Sequence, residues 1–175
     1  LKQGYGLYGD NHLLYAATQG KRGQAPKERS KLFSSSGYAV LRSGWGKNEL
    51  FKDERFLMFD CGPLGAGNHG HLDLLNFEMA AYGQSLIVDP GRYTYNEPQK
   101  DSTEKNWRRL FRGTSYHNTV QVDNLEQTNY IFHKTRFKIR GPAPEHELKR
   151  FISQPGFDYL HGVAKSHQYA VKHER

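Results

Sequence analysis

From Leu32 onward the chain is built of short runs rich in β-branched and aromatic residues, separated by Gly, Pro, Asn and Asp. Seven of these runs predict strands: 37–45 (GYAVLRSGW), 55–62 (RFLMFDCG), 71–82 (HLDLLNFEMAAY), 85–91 (SLIVDPG), 117–123 (HNTVQVD), 130–140 (YIFHKTRFKIR) and 157–166 (FDYLHGVAKS). Many short strands divided by turn residues predict an all-β fold, an antiparallel sandwich or a barrel-like arrangement. The 71–82 run carries a competing signal, because Leu, Glu, Met and Ala favour a helix. The Tyr82-Gly83-Gln84 turn that leads straight into the next run favours a strand pair. Upstream, HLLYAA at 12–17 reads as a short helix or a strand, and the polar stretch 18–31, with two Gly and a Pro, reads as a linker or long surface loop. The organisation expected is therefore a linker or remnant of an upstream domain over 1–31 and one ordered domain over 32–175.

At 175 residues the chain is one domain that can bury a substantial core. Its apolar fraction is low, 36%, but 11 Tyr, 10 Phe and 2 Trp supply bulk with polar edges. The formal charge of +7 favours an anionic partner. Basic residues concentrate in NWRRLFR (106–112) and HKTRFKIR (133–140), and neither forms a recognised nucleic-acid module; an acidic polysaccharide would use the same field. Cys61 is alone, so no internal disulfide or CxxC metal pair is expected. No run approaches the roughly 18 apolar residues of a membrane span. Without an initiator Met the chain reads as a piece of something longer, whose signal peptide could lie in the missing part.

The chemistry centres on 69–91. An extended 69–73 would place His69, His71 and Asp73 on one face. Folding back about Gly83 sets Asp89 across from Phe77, so a bend is needed to bring it to His71. In the 117–123 run His117 can point away from Val120 and Val122 and offer a second imidazole. His71, Asp89 and His117 form a sensible zinc set, completed by water or a fourth group. Two readings stand open on the residues alone: a metal site, or unrelated polar positions in a chain with nine histidines. Asp89-Pro90-Gly91 is equally ordinary turn chemistry, although its lead-in Leu86-Ile87-Val88 puts a carboxylate at the end of an apolar strand, where it needs a partner.

Three ordered motifs, GYAVLRSGW, NHGHLDLLNFEMAAYGQSLIVDPGRYTY (68–95) and FRGTSYHNTVQVD (111–123), resemble the C-terminal β-sandwich part of the heparinase II/III-like polysaccharide lyases, which include alginate and oligoalginate lyases. The resemblance covers about residues 32–140 well and the remainder loosely. It implies a large antiparallel, supersandwich-like β-sandwich after a short N-terminal linker, packed against a preceding α/α-toroid with the active cleft between them. It implies that His69 lies at the catalytic cleft and that His71, Asp89 and His117 hold zinc, with Asp73 in a supporting or structural position. The activity implied is β-elimination on uronic-acid-containing glycans, in which a base removes the C5 proton and the C4 oxygen departs. His69 would neutralise or polarise the uronate carboxylate, or act as base for one epimer, and zinc would serve mainly as a scaffold. Candidate substrate contacts are Asn68 beside His69, Trp107 as a stacking surface, and Arg108, Arg109 and Arg112 as bidentate carboxylate partners. The arginines read equally as solvated charges and Trp107 as core or interdomain packing, and Tyr93, Tyr95 and Tyr116 read first as sheet packing. The family's catalytic Tyr and a further His or Asn come from the toroid, so this chain alone is expected to be inactive or nearly so. A periplasmic or secreted location is implied by the resemblance alone. The competing readings are a non-catalytic carbohydrate-binding or structural domain, then an iron- or manganese-dependent β-barrel oxygenase or isomerase, and last a nucleic-acid binder.

Overall fold

The computed structural model describes residues 1–65, 69–99, 101–133 and 136–175. Two short helices open the chain, α1 (Lys2–Tyr8) and α2 (Asn11–Ala17). α1 ends on Gly9 in the left-handed region (φ 64°), and Asp10 caps α2 by accepting the His12 N–H at 2.7 Å. The Tyr15 hydroxyl donates to the Trp45 carbonyl at 2.6 Å and ties α2 to the β-rich body.

That body contains β1 (Lys31–Phe33), β2 (Tyr38–Arg42), β3 (Phe56–Asp60), β4 (Phe77–Ala81), β5 (Gln84–Ile87), α3 (Trp107–Phe111), β6 (Tyr130–His133), β7 (Arg136–Ile139), β8 (Glu145–Gln154), β9 (Phe157–Lys165) and β10 (Lys172–Glu174), with 3-10 turns at Phe51–Asp53 and Thr114–Tyr116. Strands β1 to β5 form one antiparallel meander in sequence order; β10, β9 and β8 form a second sheet, and β6 with β7 a separate hairpin. None of the described helices is long and apolar enough to cross a membrane.

The β4–β5 turn follows local chemistry. Tyr82 (φ 53°) and Gly83 (φ 74°) both take positive φ, as a two-residue hairpin turn matched to strand twist requires. The ladder runs Ala81↔Gln84 and Ala80↔Ser85, then shifts by a bulge to Met79↔Ile87, which carries Asp89 toward Phe77 as the fold-back predicts.

The expected single supersandwich is corrected to three separate antiparallel sheets with small helices. Two of the predicted strands account for much of the difference. Residues 71–76 are irregular, because Leu72, Leu74 and Leu75 are all buried and a period of two cannot turn adjacent leucines the same way. Leu75 reverses direction with φ 62°, and the Leu74 N–H is satisfied by the Gln127 side chain at 2.9 Å instead of by a ladder partner. Residues 117–123 likewise make no strand and contribute only the isolated bridge Val122–Leu125. In the other direction, β8 was unforeseen because Glu145–Gln154 is rich in charge; its pairing with β9 and the half-buried Leu148 and Phe151 hold it in place.

The two larger sheets share a core made by Ala39, Phe59, Cys61, Leu74, Leu75 and Ala164. Gly162 lets β9 lie close to this core, since a Cβ there would stand 2.8 Å from Leu75 Cδ2 and 3.0 Å from Phe59 Cε1. Burial pushes the Cys61 thiol up and leaves it an apolar packing group. At one end of this core the ends of β3, β4 and β5 meet the irregular segments 69–76 and 117–119, and the candidate site lies there.

Candidate metal centre

Hydrogen bonds from distant residues position each side chain. The peptide units around His71 are held by Leu72 N–H to the Arg112 carbonyl (2.9 Å) and by Arg112 Nε to the Gly70 carbonyl (3.0 Å). His117 follows the Thr114–Tyr116 turn, whose first N–H donates to Glu126 Oε2 at 2.7 Å. Next to it, Asn118 Nδ2 donates to the carbonyls of Phe77 (3.1 Å) and Val88 (3.0 Å), while the Asn118 N–H donates to Asn76 Oδ1 (2.9 Å). Asn118 thus joins the ends of β4 and β5 to the segment bearing His117. Asp89 accepts from the Gly91 N–H at 2.7 Å and from Asn76 Nδ2 at 3.0 Å.

Ligand atoms of His71, Asp73 and His117 all lie within 4.8 Å of one another. The two imidazoles stack with centroids 5.0 Å apart. His117 Nδ1 stands 2.7 Å from Asp89 Oδ2 with its side chain fully buried. A carboxylate only accepts, so the proton of this bond is on Nδ1, which leaves Nε2 as the nitrogen a metal would take. His117 Nε2 is buried and has no hydrogen-bond partner among the described residues. A buried ring nitrogen of this kind calls for a ligand, and a carboxylate on the far nitrogen is the arrangement that orients a metal-binding histidine.

The electrostatics suit the same use. Burial, then the neighbouring His117, Arg112 and Arg92, lower His71 to about 4, which keeps its imidazole neutral. Burial raises Asp73 to about 6 against the pull of His117, with Asp60 and Asp89 adding to the rise. Burial would raise Asp89 too, but the hydrogen bond and charge of His117, the Gly91 N–H and His71 outweigh it and hold this carboxyl below its usual range. Two imidazoles with one or two carboxylates form an ordinary donor set for zinc.

The site differs in one respect from the sequence expectation. Asp73, assigned a supporting place, shares the cluster with both histidines, whereas Asp89 binds the outer nitrogen of His117. His69 is exposed outside the cluster, its ring edge-on to Tyr95 at 6.3 Å and its carbonyl bonded by Arg92 Nη2 at 3.0 Å. Asn68 lies outside the described residues. Arg108 and Arg112 point inward: Arg108 is 1% exposed and ion-paired to Glu97 at 2.6 Å, and Arg112 is fully buried, with Nη1 donating to the Phe137 carbonyl at 3.3 Å. Arg109 is exposed, its guanidinium 4.5 Å from the Phe137 ring. Trp107 is 42% exposed and packs in an aromatic group with Tyr93 and Phe111. Sequence reasoning missed Asn76, Arg92, Asn118 and Gln127. Asn76 carried a signal, since an amide inside an apolar run needs a buried partner.

Comparison with known proteins agrees with this architecture. Residues 25–175 match the family described as heparinase II/III-like, C-terminal. Heparin-sulfate lyases from Bacteroides stercoris (35% identity over 121 residues) and Pedobacter heparinus (32% over 124) cover 68% and 71% of this chain. The chain in turn spans 17% of the length of each. A solved heparinase III aligns over 98% of this chain and 23% of its own, with 30% identity and a TM-score of 0.68. A solved heparan sulfate lyase from Pedobacter heparinus shares the fold, with a TM-score of 0.76 and 22% identity over 99% of this chain and 24% of its own. On a match that runs unbroken from the last residues of the N-terminal segment through all three sheets, the chain belongs to the heparinase II/III-like, C-terminal family.

Proposed function

We propose that this chain is the metal-holding, β-rich part of a lyase that cleaves uronic-acid-containing anionic glycans by β-elimination. Its named relatives suggest heparin or heparan sulfate as the glycan class. In this reading an α/α-toroid of the same longer protein supplies the remaining catalytic groups, and the whole protein is periplasmic or secreted. The observation that carries the proposal is the buried Nε2 of His117, unpartnered among the described residues, within a cluster that includes His71 and Asp73.

His71, His117 and a carboxylate would hold zinc. Bound there, the ion would supply positive charge and a rigid link between the two segments that bear the histidines. His69, two residues from His71 and exposed, would meet the uronate carboxylate and polarise it as the C5 proton leaves. Arg109 and Trp107 are exposed enough to contact a glycan, and Asn68 would orient His69. Arg108 and Arg112, both buried, would act from within by holding these segments in place.

Two carboxylates compete as the third ligand. The family resemblance assigns Asp89, and the mutual approach of His71, Asp73 and His117 favours Asp73, with Asp89 orienting His117. Metal analysis of purified protein, parent against Asp73→Asn and Asp89→Asn, separates them: the ligand substitution abolishes near-stoichiometric zinc, the orienting one weakens it. Protein that takes up no metal under replete conditions refutes the site. Activity is tested on the full-length protein with heparan sulfate, alginate and hyaluronate, where lyase action creates unsaturated sugar ends. Binding without such ends would make this a carbohydrate-binding domain instead.

A further inference from the structure

We infer that Arg112 is the positioning residue of the metal cluster, referencing His71 and His117 to one short segment of chain. The inference rests on the proposed metal-binding role of those two histidines. Arg112 grips the peptide on both sides of His71: its carbonyl accepts the Leu72 N–H at 2.9 Å, and its Nε donates to the Gly70 carbonyl at 3.0 Å. The main-chain N–H of Arg112 caps α3 by bonding the carbonyls of Arg109 and Leu110, and Nη1 reaches the Phe137 carbonyl of β7 at 3.3 Å. The residue is fully buried, so these directed bonds are not diluted by water.

From the same anchor the chain runs through the Thr114–Tyr116 turn directly to His117. The distance between the two imidazoles is therefore set through residues 112–117, although the histidines belong to segments far apart in sequence. A sheet ladder cannot do this, because neither 71–76 nor 117–123 is a strand. The chemistry of the side chain is specific to arginine. Its planar fork donates from Nε to one carbonyl and from Nη1 to another, whereas a lysine ammonium is a single point on a flexible stem and cannot hold both.

The test compares Zn2+ affinity, by competition with a chromophoric chelator, and the visible spectrum of the Co2+-substituted protein. Both are read in the full-length protein at a temperature where circular dichroism gives each variant as folded. Arg112→Lys is expected to weaken Zn2+ binding about tenfold or more, in the range typical of groups that orient ligands, and to change the Co2+ spectrum. Phe151→Leu, at a half-buried β8 position packed against the shared core and outside the hydrogen bonds that hold the two histidines, is expected to lower the melting temperature and leave both metal readouts at parent values. Should Arg112→Lys not fold, Arg112→Gln carries the test, since its amide can reach only one of the two carbonyls. A folded Arg112 variant with parent affinity and parent spectrum overturns the inference and leaves the metal site standing. A parent that binds neither ion, or whose binding survives His117→Ala, overturns the metal site and this inference together.

Discussion

Glu97→Gln separates a structural Arg108 from a glycan-binding one. The pair is almost completely shielded, with side chains 1% and 3% exposed and Arg108 Nη1 2.6 Å from Glu97 Oε1. The other oxygen, Oε2, accepts the Phe137 N–H at 3.1 Å and so ties the pair to β7. Neutralising Glu97 breaks a buried ion pair from one side, which typically costs about 3–5 kcal/mol. The substituted amide also has one oxygen for two donors, so its NH2 must face either Arg108 or the Phe137 N–H, and the cost should fall in the upper half of that range. Against a total stability of about 5–15 kcal/mol this is a large fraction, and for a domain of this size it corresponds to a drop in melting temperature on the order of 10 °C. Urea unfolding followed by circular dichroism measures it, with an unchanged m-value indicating that stability alone has moved. An exposed pair gives the internal scale. Lys165 and Glu145, 3.8 Å apart and 57% and 62% exposed, should lose no more than about 0.5 kcal/mol on Glu145→Gln. A Glu97→Gln protein within about 1 kcal/mol of the parent would refute the reasoning. It would return Arg108 to the candidates for direct substrate contact.

Three further outcomes follow from the geometry. In the metal-free protein burial holds the Asp73 carboxyl at about 6, so the folded state keeps that proton longer than the unfolded chain does. The associated stability is full below the ordinary carboxylate range and is lost as pH rises to about 6. Asp73→Asn removes that loss and should gain on the parent between pH 4 and 7 in chelator-treated denaturation curves; parallel curves would contradict the shift. Asn118→Ala frees the Phe77 and Val88 carbonyls and should cost about 2 kcal/mol, with zinc affinity falling alongside in the same titration. Gly162→Ala drives a Cβ to 2.8 Å from Leu75 Cδ2 and 3.0 Å from Phe59 Cε1, and thermal melts should record about 1–3 kcal/mol of overpacking.

Local chemistry by itself determined a good part of this protein. Alternating apolar positions and their turn residues locate β2, β3, β5 and β9, the single run expected over 130–140 divides into the paired β6 and β7, and Tyr82-Gly83 sets the β4–β5 turn. These features depend on neighbours a few residues away, which a linear pattern records. His71, Asp89 and His117 were legible as donors from residue type and resemblance. What only the tertiary structure decided is where each of them stands. Asp73 joins the two imidazoles because 71–76 abandons strand geometry to bury Leu72, Leu74 and Leu75, with its backbone satisfied by Gln127 and Arg112 from elsewhere in the chain. The arginines of NWRRLFR look alike in sequence, yet Arg108 finds Glu97, Arg112 finds Gly70 and Phe137, and Arg109 stays at the surface. The direction of a charged side chain and the partner of an irregular backbone are set by contacts between distant segments, and periodicity along the chain carries no record of those.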